Sequence, residues 1–279
     1  MRSFLSLGLL VLALIAAGQK PSKKDKLVKI NTPFGEMVVV LFDETPLHKA
    51  NFLELAESGR YDSTYFHRVI KEFMVQGGDV FRKPNEAQNR DDDRIPAEIV
   101  EGLYHHKGAL AAARTNNPEK KSSSCQFYIV QGKVYDKSEL TLDQNKLNRV
   151  FAELIQAGKI DSIRQKLMVM QKEKRFDEMN DYITSCAPYL EEVSGQSLRK
   201  DDPMSEEQVE IYSSIGGTPH LDGAYTVFGK VLTGLEVVDK IAEVETNRGD
   251  IPKETVYMTM EVMELKKKKI TQLYGFEYE

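Results

Sequence analysis

The stretch that decides the fold is YFHRVIKEFMVQGGD, which runs from Tyr65 to Asp79. Two short runs of apolar and aromatic residues are separated here by the charged pair Lys71 and Glu72, a pattern typical of two neighbouring strands. These strands place Arg68 on one surface with Phe73, Met74 and Gln76. The stretch therefore predicts a single cation beside an apolar, aromatic surface.

The residues around this cation provide no other obvious chemistry. His105 and His106 have no further histidine or cysteine at ligand spacing, which favours a pair of loop residues over a metal site. The serines at 122–124 have no recognisable base and orienting group, so hydrolysis is not expected. A lone cation next to an apolar pocket suits a reaction that twists a bond without breaking one. No metal and no cofactor are expected.

Strand patterns continue on both sides of the opening stretch. Thr45, Pro46 and Gly59 mark the start and end of a helix in the N-terminal half, and a second helix is predicted from Leu235 to Ala242. Eight strands are predicted in all: Leu27–Ile30, Met37–Phe42, 64–70, 73–77, Gly108–Ala113, Gln126–Gln131, Thr226–Leu232 and Thr255–Leu265.

Residues 132–218 have a different, helical periodicity. Leu147, Val150 and Leu154 belong to the first of three apolar stripes, and Ser205 with Gln208 predicts a capped fourth helix. Strands on both sides indicate one discontinuous β domain, residues 27–131 and 219–265, with an all-α insertion at 132–218. The stripes either pack on each other or leave an apolar groove. Residues 266–279 form a C-terminal tail, whose lysine run is expected to be solvated.

The N-terminus resembles an export signal. Arg2 precedes an apolar run that is shorter than a membrane-spanning helix, and small residues end it at Gly18. We therefore expect residues 1–18 to be a cleavable signal peptide of a periplasmic or secreted protein without stable membrane insertion; an uncleaved anchor is the alternative. Export permits a disulfide between Cys125 and Cys186, but free thiols are favoured.

The charge of the chain also limits its partners. The chain has 279 residues, with 38 Lys and Arg against 43 Asp and Glu, and its formal net charge is −5. This mildly acidic balance argues against a nucleic-acid partner, which would require a basic surface. At this length the chain is long enough for one large or two small domains.

Four segments, in order along the chain, resemble the cyclophilin family of peptidyl-prolyl isomerases. They are the opening stretch, GALAAAR at Gly108–Arg114, CQFYIV at Cys125–Val130, and HLDGAYTVFGKV at His220–Val231. The resemblance implies that the eight strands close into an antiparallel barrel capped by two helices. It also implies that Arg68 is the catalytic residue. The substrate-binding residues it implies are Phe73, Met74, Gln76, Ala113, Arg114, Gln126, Tyr128, His220, Leu221 and Tyr225.

Several residues differ from the best-known eukaryotic pattern of that family. His220 stands in place of tryptophan, Tyr225 of histidine, Tyr128 of phenylalanine and Arg114 of asparagine, and the first two changes resemble bacterial members. Loss of the tryptophan puts tight cyclosporin binding in doubt more than isomerase activity. The pair at 71–72 replaces a Pro-Gly turn.

The resemblance and the N-terminal pattern together predict an isomerase that accelerates X–Pro isomerisation in folding exported proteins. Its partners would be proline-containing segments of unfolded or folding chains, with Arg68 stabilising the twisted bond. The alternative is a cyclophilin-like chaperone or binding protein that holds its clients through the barrel cleft and the helical insertion.

Overall fold

The computed structural model describes residues 22–82 and 94–278. The expected signal peptide lies outside these residues. The nine strands of the described residues are β1 Lys24–Thr32, β2 Gly35–Leu41, β3 Thr64–Phe66, β4 Arg68–Ile70, β5 Met74–Gly77, β6 Ala109–Ala112, β7 Phe127–Val130, β8 Val227–Thr233 and β9 Val256–Lys266. The helices are α1 Pro46–Glu57, α2 Lys137–Thr141, α3 Gln144–Gln156, α4 Asp161–Lys172, α5 Phe176–Ser185, α6 Ala187–Ser194, α7 Glu206–Ser214, α8 Leu235–Ala242 and α9 Lys267–Tyr274. Across residues 22–82 and 94–278, no helix is long and apolar enough to cross a membrane.

The strands form one nearly closed antiparallel barrel in the order β3-β9-β1-β2-β8-β6-β7-β5-β4. The predicted strand 64–70 is in fact two strands, which is why the described residues hold nine strands and not eight. The chain bends at His67, so that β3 pairs with β9 while β4 pairs with β5. Residues 64–70 therefore supply both edge strands of the sheet, β3 and β4.

Side chains that alternate along the strands belong to two separate apolar clusters, the main core and a smaller one. In β7, Phe127 and Ile129 point into the main apolar core, whereas Tyr128 and Val130 belong to a second, smaller cluster. Successive side chains of a strand point to opposite faces, so the same short strand serves both. The smaller cluster also contains Met74, Ala109, Ala111, Ala113 and Val227, with Phe73, Leu221 and Tyr225 packed against it.

Helices α1 and α8 cover the main core, as predicted. Pro46 occupies the first turn of α1, where a missing N–H costs nothing, and Phe52 is buried on its inner face. Val238 and Ile241 of α8 are fully buried in the same core. Phe52 packs against the rings of Phe127, Tyr61 and Phe228, which fixes α1 on the barrel.

The segment between β7 and β8 contains six helices, α2 to α7, where the sequence predicted four. The short α2 was missed, and the third predicted helix is divided at Cys186 into α5 and α6. The predicted apolar stripes pack on each other around Leu147, Leu167 and Leu190. The capping box of Ser205 and Gln208 is present at the start of α7. The stripes thus form a core of their own.

Two glycines hold the entry and exit of this helical segment together. A Cβ atom added at Gly132 would lie 2.4 Å from the Cα of Gly217, so only glycine fits there. The amide of Gly217 donates a hydrogen bond to the carbonyl of Lys133 at 3.0 Å. We call residues 132–133 and 216–217 the glycine neck.

The C-terminal tail differs from the expectation of a solvated end. Its lysine run leads into α9, where Ile270 is fully buried against Leu27, Val38 and Val40. The Nζ of Lys267 lies 2.9 Å from an Asp43 carboxylate oxygen. Tyr274, Phe276 and Tyr278 pack against the same apolar cluster on the outer face of β1 and β2.

Both cysteines are free thiols. Cys125 is buried just before β7, whereas Cys186 at the α5–α6 junction is only half-buried.

Candidate active site

The β4–β5 hairpin carries the first group of site residues. Arg68 and Gln76 are cross-strand partners, so their side chains stand on the same face of the pair. In the connecting turn, Glu72 has a φ of 61°, a conformation that glycine adopts more readily. The amide of Glu72 donates to Oε1 of Gln131 at 2.6 Å, and the carbonyl of Phe73 accepts from the amide of Gln131. The residue after β7 thus holds the turn that replaces Pro-Gly.

Nine of the eleven predicted site residues line one small pocket of about 80 Å³. They come from the β4–β5 hairpin, the end of β6, the middle of β7 and the loop before β8, segments distant in sequence. The nine are Arg68, Phe73, Met74, Gln76, Ala113, Arg114, Tyr128, Leu221 and Tyr225. The structure therefore brings together the residues that the motifs predicted as a group, while their individual roles stay predictions.

The other two predicted residues lie at the rim. The ring of His220 stacks on Phe73, with centroids 5.5 Å apart. Gln126 lines a neighbouring cavity of about 320 Å³. It accepts a hydrogen bond from Nε2 of Gln76 at 3.1 Å and donates one to Asp79 at 3.0 Å. Gln126 therefore fixes the amide of Gln76 between the two cavities.

Two arginines, Arg68 and Arg114, line the pocket, where a single cation was expected. The Nε of Arg68 lies 3.6 Å from a carboxylate oxygen of Asp250, and both side chains are about half exposed. Such an exposed pair adds little stability but restrains one side of the guanidinium. The amide of Val69 also donates to the carbonyl of Asp250 at 2.8 Å, which keeps the two segments in register.

Arg114 covers the opposite wall. Its guanidinium carbon lies 4.6 Å from the centre of the Tyr225 ring, within the range of a cation–π contact. Its Nε donates to the carbonyl of Ala224 at 3.1 Å. Because both contacts lie on the loop before β8, Arg114 attaches that loop to the end of β6.

Sequence reasoning missed a buried histidine below the pocket. His105 is 1% exposed; its Nδ1 lies 2.9 Å from Oδ1 of Asp222 and its Nε2 lies 3.0 Å from the hydroxyl of Tyr128. Burial raises the pKa of Tyr128 well above its usual range, so its hydroxyl keeps its proton. His105 was assigned to a plain loop pair because its carboxylate partner lies 117 residues away.

A second buried histidine corrects the expectation for the serines. Ser122 does have a base and an orienting group: its Oγ lies 3.0 Å from Nε2 of His48, whose Nδ1 lies 2.7 Å from Glu98. Ser122 and His48 are only 1% and 2% exposed, so a substrate cannot reach the hydroxyl. Glu98 also accepts the amides of Leu47 and His48 at the start of α1. This cluster therefore caps a helix.

The fold and the pocket together define a nearly closed antiparallel barrel with arginines beside an apolar surface. The family model described as cyclophilin-type peptidyl-prolyl cis-trans isomerase matches residues 27–188 and 197–262, most of the chain. The chain therefore belongs to the cyclophilin-type peptidyl-prolyl cis-trans isomerase family.

Individual relatives agree with this assignment. A Streptococcus pyogenes protein named for combined phosphatase and peptidyl-prolyl isomerase activities is 32% identical over 85% of this chain, which spans 38% of that protein. Peptidyl-prolyl cis-trans isomerase B of Escherichia coli is 36% identical over 46% of this chain and 77% of its own length. A solved cyclophilin-type isomerase of Cryptosporidium parvum has the same fold, with a TM-score of 0.50, 18% identity and coverage of 86% and 98% of the two chains.

Proposed function

We propose that this protein catalyses cis–trans isomerisation of X–Pro bonds, with Arg68 as the catalytic residue. The proposal is supported by one pocket, which Arg68 lines together with Phe73, Met74, Tyr128 and Leu221, in a chain of this family. The apolar side chains would receive the proline ring, and the cation stands at its side.

The reaction itself defines what a catalyst of X–Pro isomerisation must stabilise. Rotation about a peptide bond faces a barrier of about 18–20 kcal/mol because conjugation gives the C–N bond double-bond character. The cis and trans forms of X–Pro are close in energy but exchange over tens to hundreds of seconds. A catalyst must therefore bind the twisted bond better than either planar form.

Arg68 has the properties that this task requires. When the bond twists, the lone pair localises on the nitrogen, which becomes a better hydrogen-bond acceptor. A guanidinium remains charged and presents a rigid set of donors to that nitrogen or to the carbonyl oxygen. The loose ion pair with Asp250 lies on the Nε side of the guanidinium.

Replacement of the cation tests the proposal. We expect Arg68→Ala to lower kcat/KM for an X–Pro peptide at least about tenfold, equivalent to about 1.4 kcal/mol of transition-state stabilisation. Arg68→Lys should have intermediate activity because it keeps the charge but loses the planar fork. The measurement is NMR exchange spectroscopy, which needs no coupling protease.

Lys71→Ala is the matched control. Lys71 lies on the same hairpin, is exposed and pairs only loosely with Glu243 at 3.6 Å, so its loss removes a positive charge outside the pocket. We expect its activity within about twofold of wild type. Unchanged activity in Arg68→Ala, with its fold intact, would contradict the mechanism.

We also propose that the substrates are proline-containing segments of exported proteins in the periplasm or outside the cell. The support is the sequence pattern of residues 1–18, which predicts a cleavable export signal. Protein isolated from its native cells should then begin near Gln19. An N-terminus at Met1 in that material would contradict export by cleavage. Client holding by the helical segment stays a prediction.

A further inference from the structure

The helical segment reaches the pocket through one carboxylate. Asp222 follows Leu221, which lines the pocket, and its side chain is buried except for 14% of its surface. On the barrel side, Oδ1 accepts both the amide and the ring Nδ1–H of His105, each at 2.9 Å. On the other side, Oδ2 accepts the hydroxyl of Tyr212 at 2.7 Å and the amide of Gln208 at 3.1 Å.

The direction of each hydrogen bond follows from the carboxylate. Burial alone would raise the pKa of Asp222, but the hydrogen bonds from His105 and Tyr212 hold it below its usual value, so Asp222 is an acceptor. His105 must then donate from Nδ1, and in a neutral ring this leaves Nε2 to accept the proton of the Tyr128 hydroxyl. A continuous chain of donors and acceptors thus runs from α7 to the floor of the pocket.

This chain fixes two walls of the pocket at once. The ring of Tyr128 is held by its hydroxyl, and the backbone at Leu221 is held by the adjacent Asp222. Both anchors depend on Tyr212, which is fully buried and belongs to α7 of the helical segment. A buried acceptor that loses such a donor is costly, so the arrangement has few alternatives.

We propose that Tyr212, Gln208, Asp222 and His105 form a positioning relay through which helix α7 sets the shape of the proline-binding pocket. The proposal rests on the proposed function, because the four residues would position the walls of that same site. The four do not touch the substrate; they act through Tyr128 and Leu221.

Tyr212→Phe is the most selective test, since it removes one hydroxyl and keeps the buried ring. We expect KM for an X–Pro peptide to rise at least about threefold while kcat changes less than twofold. Loss of an interaction made equally in the ground and transition states affects KM and not kcat. Both constants are measured at a temperature where the variant is fully folded, so a purely structural role would leave them unchanged.

Tyr104→Phe is the matched control. Its hydroxyl makes an exposed contact with Glu207 of the same helix at 3.5 Å, so its removal takes away a hydroxyl outside the relay. We expect its KM and kcat to equal those of wild type. If Tyr212→Phe also has wild-type constants, the relay is overturned.

A second measurement separates this proposal from the proposed function. In the neutral ring, the ¹⁵N signals of His105 should show a proton on Nδ1 and none on Nε2 in wild type, and they should shift in Tyr212→Phe. If the wild-type protein has no isomerase activity, the proposed function fails and these signals still decide the relay. Identical His105 signals in the two proteins would overturn it.

Discussion

The two buried histidine clusters have the same order of hydrogen-bonded groups but lie in different parts of the fold. In each, a carboxylate binds Nδ1 of a histidine and a hydroxyl binds Nε2: Glu98, His48 and Ser122 in one, Asp222, His105 and Tyr128 in the other. The carboxylates are 13% and 14% exposed and the histidines 2% and 1%. The clusters differ in the other partners of the carboxylate, which are helix amides for Glu98 but Tyr212 and Gln208 for Asp222, and in the surroundings of the hydroxyl. Ser122 lies inside the protein, and Tyr128 lines the pocket.

The comparison shows that a carboxylate–histidine–hydroxyl chain is not a function in itself. The first cluster resembles the arrangement that activates a serine nucleophile, but it ends away from solvent and satisfies the start of α1. The second cluster ends at Tyr128, which lines the candidate pocket. What each cluster does is decided by the place of its last oxygen in the fold.

The largest expected effect that sharpens this contrast is on stability. Glu98→Gln keeps the shape of the side chain but loses the charge that accepts two helix amides and the ring of His48. We expect the free energy of unfolding to fall by about 2 kcal/mol, with KM within about twofold of wild type. Asp222→Asn should cost similar stability but raise KM as well. Urea denaturation and peptide kinetics measure the two properties.

Glu101→Gln provides the control, because Glu101 is exposed in a turn close to Glu98 in sequence. It should change neither stability nor KM. If Glu98→Gln raises KM as much as Asp222→Asn does, the two clusters are not distinct in function.

A smaller effect concerns pH. Burial lowers the pKa of His48 below 6.5, despite the opposing hydrogen bond and charge of Glu98. The unfolded chain therefore binds more protons than the folded one just below pH 6.5, and stability decreases as the pH falls through that value. His106 adds to the same trend, since burial lowers its pKa too. Between about pH 7 and about pH 5.5, we expect the free energy of unfolding to decrease less in His48→Gln than in wild type. The difference between the two decreases should be below about 1 kcal/mol. Equal decreases in urea denaturation of both proteins would contradict this.

Much of the fold could be predicted from local patterns. Alternating apolar residues gave the strands of the barrel, and Pro46 marked the start of α1. The pocket residues were predicted together because the motifs that carry them are short and contiguous. The bend at His67 was not predicted, because its cause is pairing with two different strands and not the local sequence.

The contacts between segments that are distant in the chain could not be predicted from the sequence. His48 lies 50 residues from Glu98 and 74 from Ser122, and no periodicity relates residues so far apart. The docking of α9 was missed for a similar reason, since Ile270 is one apolar residue among lysines and its partners are on β1 and β2. Burial of single polar or apolar residues depends on packing that only the folded chain defines.

The glycine neck gives the helical segment the geometry of an exchangeable module. Because its two ends meet through Gly132 and Gly217, a short turn joined there would leave every strand of the barrel connected as before. Such a shortened chain would nevertheless lose the donors that α7 gives to Asp222. The segment can therefore be removed or inserted without changing how the strands are connected, but its removal leaves Asp222 without these donors. A graft of the segment into another barrel of this kind would need a carboxylate at the position of Asp222.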